Sequence, residues 1–322
     1  MTFLYIASLF IIANFLYGYF HYKNRSLLIL IFTSLNAFLA SIINWVFFYD
    51  IYSEEILYVI FFSIFIISLI LFFRSDILLI KNIKNIKNIK KNKNKFFKIV
   101  ILLIILSFLI LSIQYPSDAD SLDYHLGAPK FWLRSGEIIN YEFWSHYRLF
   151  GIGEFINFFG LFLGDDNIGS IFQFLFFPGF CYLIFCQSIR IQDNYKYLLI
   201  LYVFSCPLLI SLASTQKHML YPYLILITCF FYIIHNKKWD STTNFEIIFF
   251  LSALLFVLAS KISFFPIVVF LYLFYIFNFY KKKIFKKIKI IFFLSIIIFI
   301  FINLPFYLRN WVFYQDPISP FF

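Results

Sequence analysis

The stretch KIVILLIILSFLILSIQYPSDADSLDYHLG, residues 98–127, joins a long apolar run to a cluster of three aspartates. A helix needs about 17 to 25 mostly apolar residues to cross roughly 30 Å of hydrocarbon, because lipid offers the backbone no hydrogen-bond partners. Residues 98–114 meet this requirement. They therefore predict a membrane-spanning helix that opens directly into a polar segment at one membrane surface.

The same apolar pattern recurs along the whole chain, in which 62% of the 322 residues are hydrophobic. Alternating strands of about ten residues, which are typical of an outer-membrane barrel, are absent from the sequence. The composition therefore predicts an all-α polytopic membrane protein with about ten transmembrane helices and a helical first outer loop. The predicted spans are 3–20, 27–49, 56–73, 98–114, 168–188, 197–213, 219–235, 245–260, 262–279 and 288–305.

The net charge of +11 is unevenly distributed among the loops. Basic residues in a membrane protein concentrate in cytoplasmic loops, so the excess does not indicate nucleic-acid binding. One assignment of the loops leaves 21 of the 27 Lys and Arg but only four of the 16 acids on the cytoplasmic side. We therefore expect a bacterial inner-membrane protein whose N- and C-termini lie outside. The cytoplasmic segments in this assignment are 21–26, 74–97, 189–196, 236–244 and 280–287, together with Lys98, Glu246 and Lys289 at the edges of the adjoining spans.

The tract KNIKNIKNIKKNKNK, residues 81–95, divides the chain. Three predicted spans precede it and seven follow, which indicates an accessory three-helix bundle (1–73), a cytoplasmic lysine-rich linker (74–97) and a transmembrane module (98–322). The tract fits either a solvated linker or a segment lying on anionic lipid. The module contains the long outer loop 115–167.

Within that outer loop, residues 150–164 are apolar but would invert the charge asymmetry if they crossed the membrane. Phe155, Ile156 and Phe159 share one helical face, whereas Glu154 and Asn157 lie on another. This amphipathic pattern predicts a helix lying on the outer leaflet with its polar face in water.

Asp118, Asp120 and Asp123 fall within six positions of that loop. Asp120 and Tyr124 are four residues apart and would share a helical face. Carboxylates that repel one another in a partly desolvated pocket raise the pKa of at least one member, which can then accept a proton at neutral pH. The alternative interpretation is a hydrated acidic surface or a weak cation site, including a divalent cation held by Asp118 and Asp120.

Three of the six outer cations, Lys217, Lys261 and Arg309, lie at helix ends. Charged residues close to a membrane usually face a cavity and bind an anion, although snorkelling to the interface is an alternative. An acidic loop beside such cations suits a substrate that carries an anionic headgroup, such as a lipid phosphate, and a hydroxyl to be deprotonated. The further loop candidates are Lys130, Arg134, Arg148 and Glu154.

The cysteines and histidines show no metal-binding spacing. All four cysteines lie inside predicted spans and are interpreted as packing residues. The five histidines, including His125 and His146 in the outer loop, are interpreted as satisfied interfacial residues. No metal or other cofactor is therefore assigned with certainty.

Four segments, in this order, resemble the GT-C glycosyltransferases, in particular the group of protein mannosyltransferases and aminoarabinose transferases. The resemblance covers residues 98–322. It places Asp120 and Tyr124 in the first-loop motif of that superfamily, Lys261 at its later helix junction and Arg309 in its Pro-x-x-x-Arg-Asn segment. The segments are DSLDYHLGAPKFWLRSGEI (120–138), GEFINFFGLFLG (153–164), LLFVLASKISFFPIVVF (254–270) and LPFYLRNWVFYQDPISPFF (304–322).

The resemblance implies a cell-envelope enzyme that transfers a hexosyl or pentosyl group from a polyprenyl-phosphate donor to an acceptor hydroxyl of a lipid or glycan, with inversion. Asp120 would be the catalytic base, assisted by Asp118, Asp123, Tyr124 or His125 as acceptor or metal ligands. Lys217, Lys261 and Arg309 would hold the leaving phosphate. Two alternatives stay open: a non-enzymatic carrier or transporter of lipid-linked substrates, and an inactive or truncated relative, because the superfamily's chains commonly continue beyond this segment.

Overall fold

The computed structural model describes residues 2–19, 24–49, 53–86, 95–136, 151–187, 192–236 and 238–317. Within these ranges the chain is helical and contains no β-strand. Fifteen α-helices are described: α1 Thr2–Tyr19, α2 Ser26–Phe48, α3 Glu54–Ile86, α4 Lys95–Ile113, α5 Gly127–Ser135, α6 Ile156–Phe162, α7 Ile168–Phe174, α8 Phe176–Gln187, α9 Asp193–Phe204, α10 Pro207–Ala213, α11 Leu220–His235, α12 Asn244–Ser260, α13 Phe265–Lys281, α14 Phe285–Ile302 and α15 Leu304–Tyr314.

Each of the ten predicted spans corresponds to one of these helices or to a consecutive pair. Among the described residues, six helical segments are long and apolar enough to cross a membrane, or up to eight if each of two bent pairs forms one span. Helices α11 and α12 are apolar but shorter, at 16 and 17 residues. The chain is therefore an all-helical membrane protein, and the number ten stays a prediction.

The prediction that residues 197–213 form one continuous helix is wrong. Helices α9 and α10 meet at 66°, with a break at Ser205 and Cys206. Pro207 is the first residue of α10, and it has no N–H to continue the hydrogen bonds of α9. A second bend, of 48°, lies at Asn303 and turns the chain from α14 into α15. This bend directs α15, which carries Arg309, away from the axis of α14.

Helix α2 packs against α1, α11 and α12 and carries polar side chains into these contacts. The hydroxyl of Ser34 donates to the carbonyl of Phe249 at 2.9 Å, and the hydroxyl oxygens of Thr33 and Tyr221 lie 3.2 Å apart. Interhelical hydrogen bonds of this kind fix helix positions where lipid supplies no partners.

The three N-terminal helices contribute to the same core as the later ones, and α3 continues to Ile86 within the predicted linker. Their role as an accessory bundle stays a prediction.

The expected surface helix at residues 150–164 is instead largely buried over its described residues, 151–164. The segment forms a 3₁₀ turn, Ile152–Phe155, followed by α6, and it packs against α2 and α12. Glu154 is only 4% exposed and Asn157 is fully buried, so the predicted water-facing polar face is wrong. Two glycines permit the close approach: a Cβ on Gly151 would clash with the carbonyl oxygen of Ser260, and one on Gly153 would clash with the hydroxyl of the same residue.

The charge asymmetry gives a direct test of orientation. In a cysteine-free variant, we expect Asp166→Cys to react with a membrane-impermeant maleimide in spheroplasts of the expressing cells, because this exposed residue lies in a predicted outer loop. The exposed Lys238→Cys, in a predicted cytoplasmic loop, should react only after the cells are lysed. Labelling with the opposite sidedness would invert the assignment.

Candidate functional site

The acidic loop folds into a short helical segment directly after α4. Residues Ser121–His125 form a π-helical turn, and the carboxylate of Asp118 accepts a hydrogen bond from the backbone N–H of Ser121 at 3.0 Å. This contact caps the start of the turn, and Asp118 is the first of the three aspartates in the loop. Asp120 keeps 55% of its side chain exposed, so its carboxylate is accessible from solvent.

Lys217 joins the acidic loop to the loop between α10 and α11. Its Nζ lies 2.7 Å from Oδ2 of Asp120 and 3.7 Å from Oδ1 of Asp118. One ammonium thus offsets the mutual repulsion of two carboxylates. Because these side chains are partly exposed, the pairs contribute little stability, typically about 0–1 kcal/mol, and their main effect is to fix position.

Buried hydrogen bonds hold the Lys217 loop in place. The backbone N–H of Gln216 donates to the hydroxyl of Ser121 at 2.8 Å, and the Gln216 side chain exchanges hydrogen bonds with the backbone N–H and hydroxyl of Ser170 at 3.0 and 3.1 Å. From α7, the side-chain oxygen of Gln173 accepts from the N–H groups of Met219, Leu220 and Tyr221 at 3.3, 2.6 and 3.1 Å. Gln173 therefore satisfies the unpaired donors at the start of α11.

Lys261 lies at the end of α12, beside the same loop. Its Nζ lies 3.4 Å from the sulfur of Met219, and a thioether is a weak acceptor. Within the described parts of the chain, no carboxylate lies within ion-pair distance of Lys261. Its ammonium can therefore still bind an external anion.

Arg309, on α15, is only 3% exposed. Its Nε and Nη2 donate to the side-chain oxygen of Asn310 at 3.2 and 3.0 Å, and its guanidinium carbon lies 5.0 Å from the ring centre of Phe306 and 5.9 Å from that of Trp132. Burial lowers the pKa of the Arg309 guanidinium to about 10, and the nearby Tyr314 and Glu154 partly offset this effect, so the side chain stays protonated at physiological pH. The contact with Trp132 holds this cation against α5, the helix that follows the acidic loop.

A pair of titratable groups lies buried between these segments. Nδ1 of His125 is 2.6 Å from Oε1 of Glu154, which forms an ion pair when the imidazole is protonated. Asn157 donates from its side-chain amide to the carbonyl of His125 at 2.9 Å. Burial, together with the neighbouring His125, lowers the pKa of His218 to about 3, so His218 is neutral at physiological pH.

The interpretation of the histidines as satisfied interfacial residues is wrong for His125 and His218. They are 1% and 3% exposed, and Nε2 of His125 and both ring nitrogens of His218 lack hydrogen-bond partners among the described residues. In the same portion of the chain, no group of three or more His, Cys, Asp or Glu side chains is arranged to hold a metal ion.

Tyr124 is buried beside this pair, with its ring centre 3.9 Å from that of His125. Burial raises the pKa of the Tyr124 hydroxyl far above its usual value, and nearby carboxylates, Glu154 foremost, raise it further. The hydroxyl therefore stays protonated and can donate a hydrogen bond at any physiological pH.

The structure thus brings most of the predicted site residues to one end of the helices. Contacts connect Asp120 to Lys217, the Lys217 loop to Lys261 through Met219, and Glu154 to His125. Lys130 and Arg134, on α5, are exposed and contribute no described contact to this cluster, whereas Arg148 lies outside the described residues.

Four further polar residues of this region were missed in the sequence: Asn157, Gln173, Gln216 and His218. The sequence gives only a weak signal for these positions, because each is a single uncharged polar residue beside an apolar run. An amide or imidazole that cannot reach water must find a partner inside the protein, and this requirement could have singled them out.

Residues 3–315 match the family model of the DUF1420 N-terminal domain. Searches of the curated proteins and of the solved structures found no match.

The Gln173 contacts predict a stability effect. Replacing Gln173 by Leu should lower the thermal unfolding midpoint of the detergent-solubilised protein, because each buried N–H left without a partner costs about 1–3 kcal/mol. Gln114→Leu makes the same change at an exposed position and should have little effect. Equal midpoints for the two variants would show that Gln173 does not cap α11.

Proposed function

We propose that this chain, which belongs to the DUF1420 N-terminal domain family, is an integral membrane glycosyltransferase that uses a polyprenyl-phosphate sugar as donor. It would transfer a hexosyl or pentosyl group to an acceptor hydroxyl of a lipid or glycan at the non-cytoplasmic face, with inversion. The observation that carries the proposal is the contact of the exposed Asp120 carboxylate with Lys217, in a cluster that also contains Lys261 and Arg309.

In the proposed reaction, Asp120 accepts the proton of the acceptor hydroxyl. The acceptor oxygen forms a bond to the anomeric carbon as the bond from that carbon to the phosphate oxygen breaks. The phosphate leaves with the bonding electron pair from the opposite face of the sugar, which gives inversion. A general base of this kind typically contributes about 10²- to 10⁴-fold to the rate.

The departing phosphate needs positive charge rather than a strong acid, because it leaves as a stabilised anion. Lys261 is the best placed cation, since its described contact is only a thioether. Lys217 already lies at the carboxylates, where it can contact both the base and an incoming phosphate. Arg309 is enclosed by aromatic rings and supports the site through its charge.

Asp118 and Asp120 are also the residues proposed to hold a divalent cation. The ammonium of Lys217 lies beside both carboxylates, so a metal ion at this position would have to displace it. The cation demand of the site is thus met by the chain's own residues, with Asp118 serving to cap the catalytic turn.

A second candidate function is a carrier or transporter of lipid-linked substrates. The observation that favours it is the 66° break between α9 and α10, because broken helices line the binding sites of many transporters. The two proposals differ in outcome: an enzyme makes a new glycosidic bond, whereas a carrier moves the intact lipid. An inactive relative would do neither.

The base assignment predicts that Asp120→Asn lowers sugar transfer roughly 100-fold or more, since the amide cannot accept the proton. Transfer is measured with radiolabelled polyprenyl-phosphate hexoses and pentoses in membranes that contain the full chain. Asp166→Asn makes the same substitution at another exposed outer-loop aspartate and should leave the rate unchanged. Equal rates in both variants would exclude Asp120 as the base.

The carrier alternative is distinguished from the enzyme by following the movement of the labelled lipid as well as the product. If the wild-type protein exposes labelled lipid on the opposite leaflet of proteoliposomes without transferring sugar to any acceptor, the glycosyltransferase proposal fails and the carrier is supported. If Asp120→Asn abolishes product formation but leaves lipid movement unchanged, the enzyme proposal stands.

A further inference from the structure

Several buried side-chain atoms lack hydrogen-bond partners among the described residues, and five of these atoms lie on four side chains close to the acidic loop. They are Nε2 of His125, Oε2 of Glu154, Oδ1 of Asn157, and Nδ1 and Nε2 of His218. The four side chains are between 0 and 4% exposed. A buried polar atom without a partner costs about 1–3 kcal/mol, so such atoms in a native protein usually contact ordered water or a ligand.

These atoms belong to one cluster rather than to scattered defects. His125 contacts Glu154 at 2.6 Å and Asn157 donates to the backbone of His125 at 2.9 Å, while the hydrogen bond from the N–H of Gln216 to the hydroxyl of Ser121 holds the His218 loop against the same turn. They lie on three segments: the π-helical turn, residues 154–157, and the loop that carries Lys217.

Loose packing does not explain the cluster. Gln216 is fully buried in the loop next to His218, and its backbone N–H and side-chain amide all make hydrogen bonds. Ser170 is equally buried, and its hydroxyl oxygen lies 2.6 and 2.9 Å from the carbonyl oxygens of Ser112 and Asn167, either of which can accept its proton. Polar groups beside the cluster are thus satisfied apart from single side-chain atoms of Asn167 and Gln173, whereas the four clustered side chains keep five atoms with unused hydrogen-bonding capacity.

We propose that His125, Glu154, Asn157 and His218 form a subsite that binds the hydroxyl groups of a sugar ring. The unused atoms combine acceptors, on Glu154 and Asn157, with imidazole nitrogens that donate or accept according to their tautomer. A hydroxyl both donates and accepts, so it matches this mixture. A phosphate supplies mainly acceptor oxygens and would be repelled by the Glu154 carboxylate.

The position of the subsite deepens the proposed function and rests on it for the identity of the sugar. The π-helical turn that ends in His125 begins directly after Asp120, and Arg309 lies close enough to Glu154 to be stabilised by its charge. A sugar bound here would have the proposed base on one side and phosphate-binding cations nearby. The four side chains are therefore assigned to sugar recognition, and proton removal is left to Asp120.

The test uses the full chain in detergent and a panel of methyl glycosides of hexoses and pentoses, with no lipid donor. We expect at least one glycoside to raise the thermal unfolding midpoint of the wild-type protein, because a ligand that binds only the folded state stabilises it. Glu154→Gln and His218→Phe, which nearly preserve side-chain size, should each weaken that glycoside about tenfold or more. The control, Asp166→Asn, should bind as the wild type does.

Two results would overturn the subsite. One is that no glycoside stabilises the wild-type protein; if His218→Phe also unfolds at a higher temperature, the polar atoms are only hydrated. The other is that stabilisation is unchanged in both folded variants, because the sugar then binds elsewhere. The binding assay contains no donor and is therefore independent of the transfer assay with polyprenyl-phosphate sugars. Glycoside binding in the first with no transfer in the second would reject the proposed function and keep the subsite, whereas transfer without glycoside binding would reject the subsite alone.

Discussion

The site depends on one contact, in which the ammonium of Lys217 lies against the carboxylates of Asp118 and Asp120. These residues are almost a hundred positions apart in the sequence, and each lies where the chain leaves an apolar helix. Three acids in six positions would repel one another and keep anionic substrates away. A cation held between two of them reduces their mutual repulsion and their repulsion of anions. It also aligns the π-helical turn with the loop that precedes α11.

The surrounding structure maintains this contact by satisfying backbone groups with side chains. Gln173 caps α11, Gln216 binds both Ser121 and Ser170, and Asp118 caps its own turn. In a membrane protein such capping matters more than the energy of a partly exposed ion pair, because a helix end that is closed off from water has no other source of partners. The glycines that let residues 151–153 approach Ser260 serve the same end, since they bring Glu154 inward to His125.

The sequence predicts the parts of the structure that are determined locally. Apolar length located the helices, as at residues 98–114, which lie within α4, Lys95–Ile113, except for Gln114. Charge and spacing singled out Asp120, Lys217, Lys261 and Arg309 before any contact was known. The features that were missed depend on distant partners. The burial of Glu154 depends on α2 and α12, and that of Asn157 depends on the packing of α6 against α5 and α7. The hydrogen-bonding capacity of His218 depends on which groups its loop places opposite the imidazole.

We infer that the π-helical turn and the Lys217 loop form one site on the outer face of the membrane. Cross-linking gives the most direct test of this arrangement. In a cysteine-free protein in native membranes, Asp120→Cys and Lys217→Cys should be joined by a short bifunctional maleimide that is added from the outside. The linkage is read by mass spectrometry after cleavage between the two positions. We expect this cross-link together with none between Asp120→Cys and Lys238→Cys. A cross-link of the second pair and none of the first would contradict it.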